Sequence, residues 1–380
     1  MIDVIQKLFT DGFIYIFIFF VFFIATVFES VEEFHKYRFI TATLSVLTLF
    51  LFTGLRWETG TDWNSYSELF RDVDVSFGDV FFIQLYSFDF GYVFLNILVK
   101  YFTNSYTVLL LVDSFIALGL VFLFIKKYSP NPNISIFVFY NAFFVAQFMG
   151  SNRRIVALGL TLFAISSVIK KSKFWFFQTT SFLFHKSSIV ALIAKFVPKK
   201  RFSKNKILAI LIISLLIGIL QIPLKILELI SGILSSFSGF SVIDKLSTYT
   251  LESDNIVLGN RNPILMMILS IIKRCVFLIF YLIIIYKKKG KLDFTTDFFL
   301  NIYIVGFSLY LLLNGSEVIQ VSSSYFTFIE IVVIGRFWNY ADKRDKLAFL
   351  PILFFYGFFQ LVSSLTAYPE LYIPYKTFLN

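Results

Sequence analysis

The chain has 380 residues, of which 58% are hydrophobic and 20% aromatic, and its mean hydropathy of +0.79 excludes an ordinary water-soluble domain. Charged residues make up 15%, against roughly 25% in globular proteins, and apolar runs near the ~20 residues that cross a bilayer as helix recur along the chain. The net charge of +10 is spread in short basic clusters between those runs, so it reads as a topology signal and excludes a nucleic-acid-binding face.

The fold class is therefore an all-α polytopic membrane protein, since a β-barrel would alternate apolar and polar in segments of about ten residues. One cysteine, Cys275, and two histidines, His35 and His185, exclude a disulfide framework and a thiolate zinc site, and neither metal nor cofactor is expected.

In chain order, spans are predicted at about 13–28 and 39–54, joined by a cytoplasmic connection carrying His35, Lys36 and Arg38. The first outer loop, about 55–90, is acidic, with Glu58, Asp62, Glu68, Asp72, Asp74, Asp79 and Asp89 against Arg56 and Arg71. Within it Trp63, Tyr66 and Phe70 share a helical face, which predicts a short helix lying on the membrane surface. Residues 90–102 are apolar but too short to cross, and by parity return to the outer side. Further spans are predicted at about 106–125, 134–149 and 155–169, the last ending at Lys170, Lys171 and Lys173.

The segment 174–197 has basic clusters at both ends, so it enters and leaves on the cytoplasmic side as a hairpin with its tip near His185, Lys186, Ser187 and Ser188. A span at about 207–222 leads to a second outer loop, 223–262, with another amphipathic stretch around 224–234. Spans at about 263–286, 298–313, 325–338 and 347–365 complete roughly ten full crossings in one transmembrane domain covering 1–380.

This threading places Arg56, the trio Asn152, Arg153 and Arg154, and His185 near the outer surface. Arginines beside the free N–H groups of a helix start suit a phosphate or diphosphate; arginines at span ends also serve as anchors to lipid head groups. Asp113, Lys273, Arg274 and Glu330 lie within apolar runs and are expected to face the bundle interior, with Arg274 and Glu330 as a pair.

The run Gly54-Leu55-Arg56-Trp57-Glu58-Thr59-Gly60-Thr61-Asp62-Trp63-Asn64-Ser65-Tyr66 resembles the GLR-x-x-x-GTD-(aromatic)-x-x-Y signature of the EpsG/Wzy-like polysaccharide polymerases, which make O-antigen, capsule or exopolysaccharide. In the same order, Asp89 and Phe90-Gly91-Tyr92-Val93-Phe94-Leu95-Asn96 resemble the family's acidic-x-GF-x-x-LN segment. Arg153-Arg154-Ile155-Val156-Ala157 resembles its RQ-x-x-A span start, and Phe184-His185-Lys186-Ser187-Ser188 its FH-x-S hairpin. Arg154 departs from the usual Gln, and Ser322, Ser323 and Ser324 stand where an arginine is expected before Tyr325. No residue is carried over from the carboxyl-terminal half.

The resemblance implies an inverting glycosyltransferase on the outer face of a bacterial cytoplasmic membrane. It would move a growing glycan from undecaprenyl diphosphate to the next lipid-linked unit, so its partners are oligosaccharide donor and acceptor on undecaprenyl diphosphate, membrane lipid and a chain-length regulator. Arg56 and Arg153, supplemented by Arg154, are the expected diphosphate ligands, with Tyr66 and Asn152 beside them. His185, Asp62 and Asp89 are rival bases toward the acceptor hydroxyl, His185 because an unperturbed imidazole titrates near 6.5. A flippase for the same lipid-linked sugars and a ligase of the lipid A-core type remain the alternative readings.

Overall fold

A computed structural model of the chain describes residues 2–73, 88–170, 172–235, 263–314 and 317–378. Asp74, Asp79 and the rest of 74–87 in the first expected loop, and 236–262 in the second, lie outside the described residues. The chain forms two compact units, one of Met1–Ala191 with Glu330–Asn380 and one of Leu192–Ile329.

The first unit is built on long apolar helices α2 (Phe13–Ser30), α3 (Arg38–Gly54), α6 (Tyr106–Tyr128), α8 (Asn152–Lys170) and α17 (Lys343–Leu365), preceded by the short α1 (Ile2–Thr10). Helix α3 packs along α6, α6 along α8, and α8 along α9 (Phe174–Phe184), while α2 and α16 (Glu330–Tyr340) flank α7 (Pro132–Phe139). Phe13, Phe17, Phe20, Ile24 and Phe28 of α2, and Ile40, Leu44, Leu47 and Leu51 of α3, stay exposed at helical spacing, as apolar stripes facing lipid should. At one end Glu29 accepts the backbone N–H groups of Asn133 and Ile134, each at 3.1 Å, capping α7 from another helix.

Helix α7 runs on into a π-helix, Tyr140–Phe148, in which the N–H of Met149 reaches back five residues to Phe144 O at 3.0 Å. After α9, His185 is extended (φ −156, ψ 113) and leads into a 3₁₀ segment, Lys186–Phe196, so the backbone breaks at the residue where the tip is expected.

Helix α4 (Trp63–Asp72) forms as expected, and its apolar face is covered by protein. Trp63, Tyr66, Leu69 and Phe70 are buried against Tyr92 of α5 (Phe90–Phe102) and Tyr106, Leu109 and Leu110 of α6. The periodicity reveals an apolar face; its cover is α5, whose own short length leaves it beside α4.

The second unit packs α10 (Lys204–Ile219) along α13 (Phe294–Leu312), with α11 (Ile222–Ser235), α12 (Pro263–Lys287) and the short α14 (Glu317–Gln320) and α15 (Ser324–Thr327) completing it. Arg201 bonds Asp297 at 3.2 Å and Gly290 O, and the Arg274 guanidinium lies 3.4 Å from the centroid of the Tyr310 ring.

Among the described residues six helices are long and apolar enough to cross a membrane, or up to seven if the bent pair 204–219 and 222–230, at 56°, counts as one span. The ten expected crossings are not reached by that measure. The stretch 132–148 is a shorter apolar helix, and 325–338 is divided between α15 and α16. Hydropathy counts apolar side chains and is blind to such breaks in the backbone.

Candidate active site

The first-unit residues singled out by motif meet at the end of the unit opposite Glu29. Directly after α3 the chain forms strand β1 (Arg56–Trp57), paired antiparallel with β2 (Lys376–Thr377). The same terminal segment accepts the Gly60 N–H at Leu371 O (3.0 Å), and its Lys376 pairs with Glu58 at 2.8 Å. Tyr375 stacks on Phe52 with ring centroids 4.1 Å apart, its hydroxyl donating to Phe52 O. Gly60 has φ +117, and a Cβ there would stand 2.1 Å from Met149 O, so only glycine permits this loop to lie against the turn before α8.

That turn brings in Asn152, Arg153 and Arg154. Arg56 is 2% exposed; its Nη1 donates to Thr53 O at 2.9 Å and its Nη2 to Asn152 Oδ1 at 2.6 Å. Asn152 in turn donates to the Tyr92 hydroxyl at 3.2 Å. Behind Arg56, Asp113 of α6 is buried, with Arg56 as its electrostatic neighbour and one carboxylate oxygen without a hydrogen-bond partner.

Arg153 is the more accessible arginine, its side chain 26% exposed, and it bonds Asp89 at 2.8 Å. Its guanidinium also sits 5.2 Å from the Phe88 ring centroid. Asp89 stands at the cap position of α5 and also receives the Lys186 backbone N–H from the hairpin. A Cβ on Gly91 would meet Phe184 at 3.0 Å and Leu183 O at 3.1 Å, so the start of α5 abuts the end of α9 and fixes the hairpin tip. The Tyr66 hydroxyl shares a hydrogen bond with Ser151 at 3.1 Å.

Burial raises the carboxyl of Asp62, against the opposing pull of Arg154 and Arg153. Asp89 is likewise raised by burial, with Arg153 and Lys186 pulling it back. His185 differs from the sequence expectation of an unperturbed imidazole: burial first, then Arg153 and Arg154, push it from 6.5 down to about 3. Its Nδ1 is in a 2.6 Å hydrogen bond with the Ser187 hydroxyl, which ties the tip together. Among the described residues no group of three His, Cys, Asp or Glu side chains is placed to hold a metal.

Two contributions to the site were not legible in the motifs. Asp113 showed itself only as a charge inside an apolar run, with nothing to link it to Arg56, and the β2 segment carried no motif at all.

A sequence model of the EpsG family matches residues 39–377. The chain belongs to the EpsG family. No curated protein and no solved structure gives a match. The EpsG match runs through β2, so the family pattern embraces the carboxyl-terminal half that the motifs left uncovered. Family and apolar helices together describe a membrane protein of the polysaccharide-polymerase type.

Proposed function

We propose that this EpsG-family chain is an inverting glycosyltransferase that polymerises undecaprenyl-diphosphate-linked repeat units on the outer face of the bacterial cytoplasmic membrane. The observation that carries the reading is the convergence of Arg153 and Arg154, at the start of α8, with Asp62, Asp89 and the His185 tip, on a scaffold in which Arg56 is buried and hydrogen-bonded through both terminal nitrogens. An anionic diphosphate is what two part-exposed guanidiniums beside helical N–H groups bind best. Arg153 and Arg154 are the groups that meet it, while Arg56 fixes Asn152 and adds positive potential from behind.

In the transfer, the acceptor hydroxyl oxygen bonds to the anomeric carbon, the carbon–oxygen bond to the diphosphate breaks, and the diphosphate leaves with the electron pair. The hydroxyl proton passes to a base. Asp62 suits this role better than its rivals: Asp89 is held by Arg153 and Lys186, and a histidine near 3 is a weak acceptor. His185 serves instead as a neutral donor toward the diphosphate.

The pH dependence tests this division. The acid limb of kcat/KM belongs to a carboxylate that must be ionised, so activity falls as pH drops through the raised Asp62 value. His185→Gln should lower the plateau and leave that limb in place; a limb that moves or vanishes in His185→Gln would return the base role to histidine. Stability has its own dependence on the histidine: with His185 depressed in the folded state, its contribution is complete above about 6.5 and is lost as pH falls toward about 3.

The function itself is tested with purified protein in nanodiscs supplied with lipid-linked repeat units. A ladder of longer lipid-linked glycans with release of undecaprenyl diphosphate is expected. Absence of a ladder, together with movement of the same lipids between leaflets of proteoliposomes, would make the chain a transporter.

A further inference from the structure

The terminal segment 368–378 does more than pair with β1. Tyr372, closing α18 (Pro369–Tyr372), is 2% exposed, and its backbone is fixed on two sides: its own carbonyl accepts the Tyr15 hydroxyl at 2.9 Å, and Leu371 O holds Gly60. Its phenol is directed at the turn before α8. A Cβ added to Gly150 would stand 3.5 Å from the Tyr372 hydroxyl and 2.8 Å from Thr61 Oγ1, so the glycine leaves room between these two hydroxyls. Arg56, Asp62 and Arg154 are the electrostatic neighbours of the phenol, together with Tyr368.

We propose that Tyr372 donates a hydrogen bond from its phenol to the diphosphate of the lipid-linked donor, which makes the carboxyl-terminal segment part of the binding site. The proposal rests on the reading of this site as a diphosphate site. Burial pushes Tyr372 up to about 12, so the phenol keeps its proton at working pH and can donate. A neutral donor set among two arginines is matched to an anionic oxygen, and a hydrogen bond to a charged partner is stronger than one to a sugar hydroxyl. As the diphosphate leaves, its negative charge grows, so the contact strengthens on the way to product.

The test uses the full-length protein in nanodiscs with undecaprenyl diphosphate as the probe. Tyr372→Phe, which removes one oxygen and keeps the ring, is expected to weaken binding about tenfold and to lower kcat more than it raises KM for the donor, with the melting temperature unchanged. Arg153→Ala is measured beside it. If Arg153→Ala loses binding while Tyr372→Phe binds and turns over as wild type, the Tyr372 proposal fails and the diphosphate reading stands. If both variants bind as wild type, the diphosphate reading itself fails. Loss confined to Tyr372→Ala with a lowered melting temperature would reduce the segment to scaffolding.

Discussion

Arg56→Met is expected to lower both the amount of folded protein in the membrane and the polymer it makes, and adding Asp113→Asn is expected to restore part of the first and none of the second. Arg56 is 2% exposed and its terminal nitrogens hold Thr53 O and Asn152, so its loss leaves a carbonyl and an amide without their donors. It also strips Asp113 of its positive neighbour inside the helix bundle. A buried carboxyl is costly to keep without its positive neighbour, and Asp113→Asn removes that part of the cost while Thr53 O and Asn152 Oδ1 still lack their donor. Membrane-fraction levels and melting in detergent read the structural part; glycan ladders read the chemical part. Polymer recovered along with protein in the double variant would show that the Arg56 charge serves stability alone. Asn152→Asp gives a complementary view, because a carboxylate in the 2.6 Å contact keeps the geometry and cancels the charge. It is expected to abolish polymer at normal protein level.

Arg153→Ala is expected to lower turnover per folded molecule by about 100–1,000-fold, the cost of losing one preorganised donor to a developing anion. Asp89 is buried and loses its 2.8 Å ion pair but keeps the Lys186 N–H as a second partner, so a moderate stability loss accompanies the chemical one and is read separately by melting. Arg153→Lys should recover only part of the rate, since an ammonium reaches Asp89 but lacks the planar fork for two phosphate oxygens. Initial rates with a lipid-linked trimer of repeat units decide the matter. A turnover within about threefold of wild type in Arg153→Ala would assign this side chain to holding α5 against α8.

The sequence disclosed the parts of this site that are local. Gly54 to Tyr66 is one continuous run whose glycines and arginine are needed where they stand, and the break at His185 is implied by basic clusters that forbid a single crossing. It disclosed less where backbone atoms or distant partners decide. The β1–β2 pair joins residues at opposite ends of the chain through peptide groups, which leave no trace in side-chain pattern. The α4 stripe was visible, yet a stripe covered by α5 reads the same as one covered by lipid. The low value of His185 depends on Arg153 and Arg154 arriving from α8, and no spacing within the hairpin shows that.

The π-helix at Tyr140–Phe148 bears on how such a chain tolerates insertions and deletions. Each residue of a regular helix rotates the next position by roughly 100°, and a wider five-residue hydrogen bond absorbs one residue without lengthening the element by a full step. A one-residue deletion between 140 and 148 would therefore return the backbone to ordinary α-helix with the flanking elements close to their present register, so Ser151, Asn152 and Arg153 would still meet Tyr66, Arg56 and Asp89. The segment is accordingly stricter in side-chain identity than in residue count, since Tyr140, Phe144 and Phe148 are buried and the Tyr140 hydroxyl donates to Tyr15 O at 2.8 Å.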